Sequence, residues 1–229
     1  MASILDCLHR NYQILFPPAA PKSPNPIRIG ILGAAKIAPS ALITPARTHP
    51  DVAVMAVAAR SESKAAAFAK KHAIPRVLAS YADLVADPDI DAVYIPLPVS
   101  MHYEWAMRCL AAGKHVLLEK PAVSNAEEAE VLFGYRGGSG TGEEPVLLEA
   151  AHYRFQPSWR LFLGLIDGEG VERVDVRSGA PAAMFPDGDI RWQYELGGGA
   201  LLDLGTYNIS VLRGVFGREA EECEFLSLL

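Results

Sequence analysis

Two places in the chain concentrate side chains able to move protons. "HVLLEKP" (115–121) closes an apolar run on Glu119, Lys120 and Pro121, and "GGGALLDLGTYNIS" (197–210) sets Asp203 and Tyr207 four residues apart behind three glycines. An ammonium, a carboxylate and a phenol together suit proton transfer at a hydroxyl or carbonyl. Free tyrosine titrates near ~10, so a phenolic base needs help, and a neighbouring Lys120 ammonium is expected to lower its pKa. Each feature also has a plain reading. Lys120 could simply pair with Glu119, and the glycine run could simply cap a helix with a polar stripe.

A third place suits phosphate. "GILGAA" (30–35) places Gly30 and Gly33 at the end of an apolar run and before a helical stretch. Glycine permits a tight turn and close backbone approach, and the next helix offers free N–H groups to a pyrophosphate. The second apolar run ends "AAR" at Arg60, followed by Ser61. An acid at that point would serve a ribose 2′-hydroxyl; a guanidinium there pairs with a 2′-phosphate, which points to NADP.

These residues need elements to hold them. Apolar runs at 27–33, 52–60, 76–79, 91–98, 115–121 and 145–153 read as buried strands. Helical segments alternate with them: to about Arg47, 61–72, from Ser80, 100–114 and 124–136. Ser61 is expected as an N-cap, Ser80/Asp83 and Ser124/Glu127 as capping boxes, and Gly113 as a C-cap. Such alternation implies right-handed crossovers and a parallel sheet. "GGSGTGEE" (137–144) reads as a flexible loop. Beyond 154 the rhythm changes: 157–168 looks helical, and "VERVDVRSG" (171–179) alternates like a half-exposed strand. Upstream, an amphipathic segment precedes "PPAAPKSPNP" (17–26), whose five prolines keep it extended.

Bulk properties remove several classes. The 229 residues carry a net charge of −6, which disfavours nucleic acid as partner, and no apolar run is long enough to span a bilayer. Cys7, Cys109 and Cys223 are widely separated, so neither a disulfide framework nor a metal site is expected, and the setting is expected to be reducing and cytoplasmic.

Taken in order, "GILGAAKIAP", "AAR", "EKP" and "GGGALLDLGTY" resemble the Gfo/Idh/MocA oxidoreductases. Within that family the chain is most similar to the branch of fungal NADP-dependent D-xylose 1-dehydrogenases and dimeric dihydrodiol dehydrogenases. The resemblance implies an α/β fold: a Rossmann dinucleotide-binding domain over 27–154, after an extension at 1–26, followed by an incomplete, mostly antiparallel α+β substrate domain over 155–229. It implies NADP as cofactor, a sugar or diol as substrate, and a homodimer formed through the second domain when complete. Lys120, Asp203 and Tyr207 become the catalytic set, with tyrosine where most of the family has histidine. The cofactor-facing set becomes Gly30, Gly33, Ala34, Ala35, Ile37, Arg60, Ser61, Leu97, His102, Glu119, Lys120 and Pro121. Tyr153, Arg154 and Trp192 fall on the substrate side, and His152 joins the same pocket. The implied reaction is oxidation of an aldose such as D-xylose at C1 to the lactone; the alternatives are a trans-dihydrodiol dehydrogenase and an NADP-binding pseudo-enzyme. The family continues for well over a hundred residues past this sequence, so the second domain is expected to be cut short.

Overall fold

Apolar runs without polar alternation need cover on both faces, which a parallel sheet between helix layers provides. The computed structural model describes residues 3–15, 17–137, 144–166 and 170–219. The six runs form one sheet of parallel strands: β1 (Ile27–Leu32), β2 (Val52–Ala58), β3 (Arg76–Leu78), β4 (Ala92–Ile95), β5 (His115–Leu118) and β6 (Leu147–Glu149). Their spatial order is β3-β2-β1-β4-β5-β6. The order reverses between β1 and β4, and a crevice opens there at the C-terminal strand ends. Strands β4 and β5 stop three residues before the apolar runs do. The residues released, 96–98 and 119–121, are the loops that rim the crevice.

Helix α1 (Ile4–Leu15) carries the amphipathic N-terminal segment, and its Ile4, Leu5 and Leu8 are exposed. The proline-rich segment after it lies pinned to the sheet domain. Ala20 N–H donates to Arg47 O, and Lys22 Nζ donates to Ala46 O at 2.6 Å and His49 O at 2.8 Å, closing the carbonyl end of α2 (Thr44–Thr48). The helical stretch after β1 begins later than the sequence suggested. Residues 34–37 stay non-helical, and Pro39, whose fixed φ suits a first turn, opens a π-helical turn (Pro39–Ile43) that runs into α2.

Caps fix the remaining helices. Ser61 accepts from Lys64 N–H at the start of α3 (Glu62–His72), and Ser80 accepts from Asp83 N–H at the start of α4 (Tyr81–Ala86). Helix α5 (His102–Ala111) ends on Gly113 at φ +73°, with Gly113 N–H on Leu110 O and Lys114 N–H on Cys109 O. At α6 (Ala126–Gly134) the expected cap moves by one residue. Asn125, not Ser124, accepts from Glu128 N–H, and the Glu128 carboxylate reaches back to Ser124 N–H. The amide oxygen of Asn125 is the better acceptor for this turn, and Glu127 is left outside the box.

One face of the sheet packs Leu32, Val93, Ile95 and Leu118 against α4, α5 and α6 through Leu84, Trp105, Leu110 and Leu132. The opposite face packs Ile29, Ile31, Val57 and Tyr94 against Leu42, Ile43 and Ala69. A bidentate fork locks the centre: Arg28 Nε and Nη2 meet Asp91 Oδ2 and Oδ1 at 3.0 and 2.7 Å.

Past β6 the described chain holds α7 (Pro157–Gly164), short 3₁₀ turns and α8 (Thr206–Phe216). The strand expected over 171–179 does not form: these residues carry no regular structure and pair with no described strand. Apart from its ends, the loop expected over 137–144 lies outside the described residues, as do Cys223 and the last residues. Among the described residues no helix is long and apolar enough to cross a membrane, and no acid, histidine and cysteine group could hold a metal ion.

Candidate active site

The turn after β1 is built for an anion. Gly33 stands at φ +100°, a backbone conformation that side chains avoid, and a Cβ there would press Leu97 Cδ2 at 3.1 Å. Its own N–H closes the strand on Ala58 O at 2.7 Å. The following N–H groups of Ala34, Ala35, Lys36 and Ile37 donate to no group among the described residues. Four free donors around a glycine turn fit a dinucleotide pyrophosphate. Gly30 does something else. It lies inside β1, and an added Cβ would strike Leu84 Cδ2 at 2.6 Å, so it lets α4 seat on the sheet and does not face a cofactor. Arg60 is exposed just beyond β2, and Ser61 Oγ, within 3.0 Å of Ser63 Oγ, stands beside it.

His102 sits beneath this surface instead of on it. The ring is 1 % exposed, with Nδ1 2.9 Å from Pro121 O and Nε2 2.8 Å from Leu97 O. Burial pushes the imidazole below its ordinary pKa against the pull of these carbonyls. The neutral ring has one N–H to donate to one of these carbonyls, and both nitrogens lie between the loops that carry Leu97 and Pro121, away from a cofactor. Leu97 likewise backs Gly33 from below.

The turn after β5 brings the reactive groups together. Tyr94 donates to Glu119 Oε1 at 2.5 Å, and Glu119 Oε2 accepts from the Lys120 backbone N–H at 3.3 Å, so Glu119 is engaged by the backbone of Lys120 and not by its ammonium. Lys120, before a cis Pro121, crosses instead to the second half of the chain: Nζ donates to Asp203 Oδ1 at 3.0 Å and to Asp203 O at 2.7 Å. The same ammonium lies 4.8 Å from the centre of the Tyr207 ring. Asp203 and Tyr207 meet Lys120 because a π-helical turn (Leu201–Gly205) leads into α8 and brings both to one side.

Burial disfavours the Asp203 carboxylate, yet hydrogen bonds from Lys120 and Arg191 hold its carboxyl below the ordinary range. Tyr207 behaves contrary to the sequence expectation. Burial first, then the carboxylates of Glu119, Asp203 and Glu149, push the phenol above its ordinary value. Lys120 donates its hydrogen bonds to Asp203 and meets Tyr207 over the face of the ring.

Lys120, Asp203 and Tyr207 line a cavity of about 960 Å³, together with Ile37, Glu119 and Pro121 from the cofactor-facing set. Of the substrate-side residues read from sequence, His152 lines its wall, whereas Tyr153, Arg154 and Trp192 do not. Tyr153 packs edge-on to Tyr207 at 5.9 Å and donates to Ser210 Oγ at 2.6 Å; Arg154 and Trp192 point outward. Beside His152 the wall holds Phe155, Phe185 and Arg191 in place of those three. His152 meets the Tyr207 ring edge-on at 6.1 Å. Arg191 escaped sequence reading because it lies in a Pro-, Gly- and Asp-rich stretch without periodicity. Its only signal was an arginine flanked by apolar Ile190 and Trp192.

Two of the three glycines serve packing. Gly197 has φ +76° and lies where a Cβ would come 2.7 Å from Val99 Cβ. A Cβ on Gly198 would collide with the carbonyl of Ile190 and lie 2.7 and 2.8 Å from those of Gln193 and Arg191. Gly197 and Gly198 are thus pressed between the loop after β4 and the turn that bears Arg191, and both also line the cavity.

Similar proteins share this frame. Residues 27–135 match the model of an oxidoreductase family with an NAD-binding Rossmann fold, Gfo/Idh/MocA. The D-xylose 1-dehydrogenase (NADP(+)) 2 of Haloferax volcanii is 38% identical over 82% of this chain and 57% of its own length. The trans-1,2-dihydrobenzene-1,2-diol dehydrogenase of Xenopus tropicalis is 33% identical over 84% of this chain and 58% of its own. The crystal structure of KijD10, a 3-ketoreductase from Actinomadura kijaniata, in complex with NADP and TDP-benzene superposes with a TM-score of 0.70 at 34% identity, over 84% of this chain and 57% of that one. The chain spans just under three fifths of the length of these relatives. A parallel sheet in the order β3-β2-β1-β4-β5-β6, a glycine turn with free donors and the match over 27–135 agree: the chain belongs to the Gfo/Idh/MocA oxidoreductase family.

Proposed function

We propose that the protein is an NADP-dependent dehydrogenase that oxidises an aldose such as D-xylose at C1, giving the lactone. The observation that carries this reading is the Lys120–Asp203 pair with its ammonium against the Tyr207 ring, at the C-terminal edge of the sheet. NADP⁺, when bound, supplies the hydride acceptor. The chain's residues do the rest. The N–H groups of residues 34–37 and the Arg60 guanidinium fit its phosphates. Tyr207 takes the proton of the C1 hydroxyl, Asp203 sets the ammonium, and Lys120 stabilises the negative charge that develops on oxygen. The test is NADPH formation with a panel of aldoses and trans-dihydrodiols. Turnover of aldoses supports the reading; turnover of diols alone replaces the substrate class.

The raised phenol supports a second reading, reduction of a sugar carbonyl by the same groups in reverse. A tyrosine titrating above ~10 stays protonated through neutrality and is ready to donate a proton but not to accept one. Oxidation is therefore expected to accelerate with pH from about 7 to about 10, while reduction stays level over that span. Initial rates in both directions across that range check it; a pH-independent oxidation would contradict Tyr207 as the base.

Arg60 governs cofactor choice in this reading. Arg60→Ala is expected to weaken NADPH binding about ten- to a hundredfold, the range for a charged hydrogen-bonded contact, and to leave NADH binding nearly as it was. Equal losses in fluorescence titrations of the two cofactors would remove Arg60 from the 2′-phosphate site.

A further inference from the structure

Asp203 has two carboxylate oxygens and divides them. Oδ1 goes to Lys120 at 3.0 Å, and Oδ2 goes to Arg191 Nε at 2.7 Å. Arg191 is itself held on three sides. Asp189 Oδ1 accepts from its backbone N–H at 3.0 Å and from Nη1 at 3.1 Å, and the guanidinium carbon stacks 4.5 Å from the centre of the Phe185 ring. Asp189 opens the short turn Ile190–Trp192 as its cap, so anchor and guanidinium belong to one local unit. Gly198 seats on the carbonyls of that same unit.

A carboxylate on a short side chain can swivel about its last bond unless both oxygens are tied. With only Lys120 as partner, the Asp203 carboxylate would be free to turn, and the ammonium would keep only the Asp203 backbone carbonyl, at 2.7 Å, as its fixed partner. With a planar guanidinium fixed by Asp189 and Phe185, one orientation remains. We propose that Arg191 is a positioning residue, which fixes the Asp203 carboxylate so that its second oxygen holds the Lys120 ammonium at the cavity wall. The inference rests on Lys120, Asp203 and Tyr207 being the reacting set. The charged groups around it are few. Asp203 faces Lys120 from the turn after β5 and Arg191 from the 190–192 turn, with Tyr207 on its own helix; Asp189 also feels Lys36 from the glycine turn.

The test reads Lys120 directly. Wild type, Arg191→Gln, Arg191→Lys and Asp203→Asn are treated with an amine-acylating reagent, and the labelling rate of each lysine is followed by mass spectrometry. Lys114, bonded to Asp87 O and Ile90 O far from the site, serves as the internal reference. Lys120 is expected to label several-fold faster in Arg191→Gln, approaching Asp203→Asn, with Lys114 unchanged. Added guanidinium ion should restore protection in Arg191→Gln and not in Asp203→Asn. Arg191→Lys keeps the charge but cannot bridge Asp189 and Asp203, so it should show a smaller rise and carries the test if the glutamine variant does not fold. Turnover adds a second reading: kcat falls about ten- to a hundredfold, the scale of a misplaced catalytic group, while KM for NADP⁺ holds. Unchanged Lys120 labelling in both Arg191 variants overturns the proposal. Absence of turnover in wild type, with the labelling pattern intact, overturns the dehydrogenase reading and leaves the positioning role standing.

Discussion

Tyr207→Phe should lower turnover about a hundred- to ten-thousand-fold, the usual contribution of a positioned acid or base. The expectation follows from where the ring sits. Its face lies against the Lys120 ammonium, its edges meet His152 and Tyr153, and burial keeps its proton in place. Removing one oxygen leaves all of those ring contacts intact, so the fold and the cofactor turn after β1 are undisturbed. NADPH binding, read by fluorescence titration, should match wild type. A variant that turns over sugar at the wild-type rate would take the proton-transfer role away from Tyr207. Loss of NADPH binding would show instead that the phenol holds the architecture.

A second large effect is expected from one methyl group. Gly198→Ala places a Cβ among three backbone oxygens, those of Ile190, Arg191 and Gln193. Carbonyls in a tight turn cannot swing aside as a side-chain tip can. The cost is about 1–3 kcal/mol of stability, the range for overpacking, and the turn must shift to admit the methyl. Arg191 moves with it, so turnover should fall by about a hundredfold, as for a displacement on the order of an ångström at a catalytic contact. Thermal unfolding and initial rates measure the two separately. Gly199→Ala is the control, since open space surrounds its Cβ position, although its φ of +123° adds some backbone strain. If Gly198→Ala melts and turns over like wild type, the close packing of this run does not matter to the site.

Much of the sheet domain was legible because its signals are local. Apolar runs, caps at Ser61 and Ser80 and a glycine at 113 each declare their structure within a few residues. Lys120, Asp203 and Tyr207 were legible for another reason, their fixed places relative to strand and helix ends. What stayed hidden depends on contacts across the chain. Gly30 looked like a phosphate glycine, but its role is set by Leu84, which folds over it from α4. His102 looked exposed to a ligand, yet both its nitrogens lie between carbonyls of two separate loops. The Tyr207 shift ran opposite to expectation because burial, and then the carboxylates of Glu119, Asp203 and Glu149, outweigh the neighbouring ammonium, a balance that no spacing rule reveals. Arg191 gave no pattern at all; only the arrival of Asp189 and Asp203 on either side of it makes it part of the site.

The strand order has a kinetic consequence. β1 pairs with β2 nearby, but its other neighbour, β4, lies far along the chain, and the Arg28–Asp91 fork that joins them spans 63 residues. Closing so long a loop costs entropy before the contact repays it, so this pairing belongs among the late events of folding. The cofactor crevice lies between those same two strands. It does not exist as a surface until that long-range pairing has formed. Acquisition of NADPH affinity during refolding should therefore lag behind the gain of helical signal, and the bound cofactor would act as a clamp on the last step of assembly.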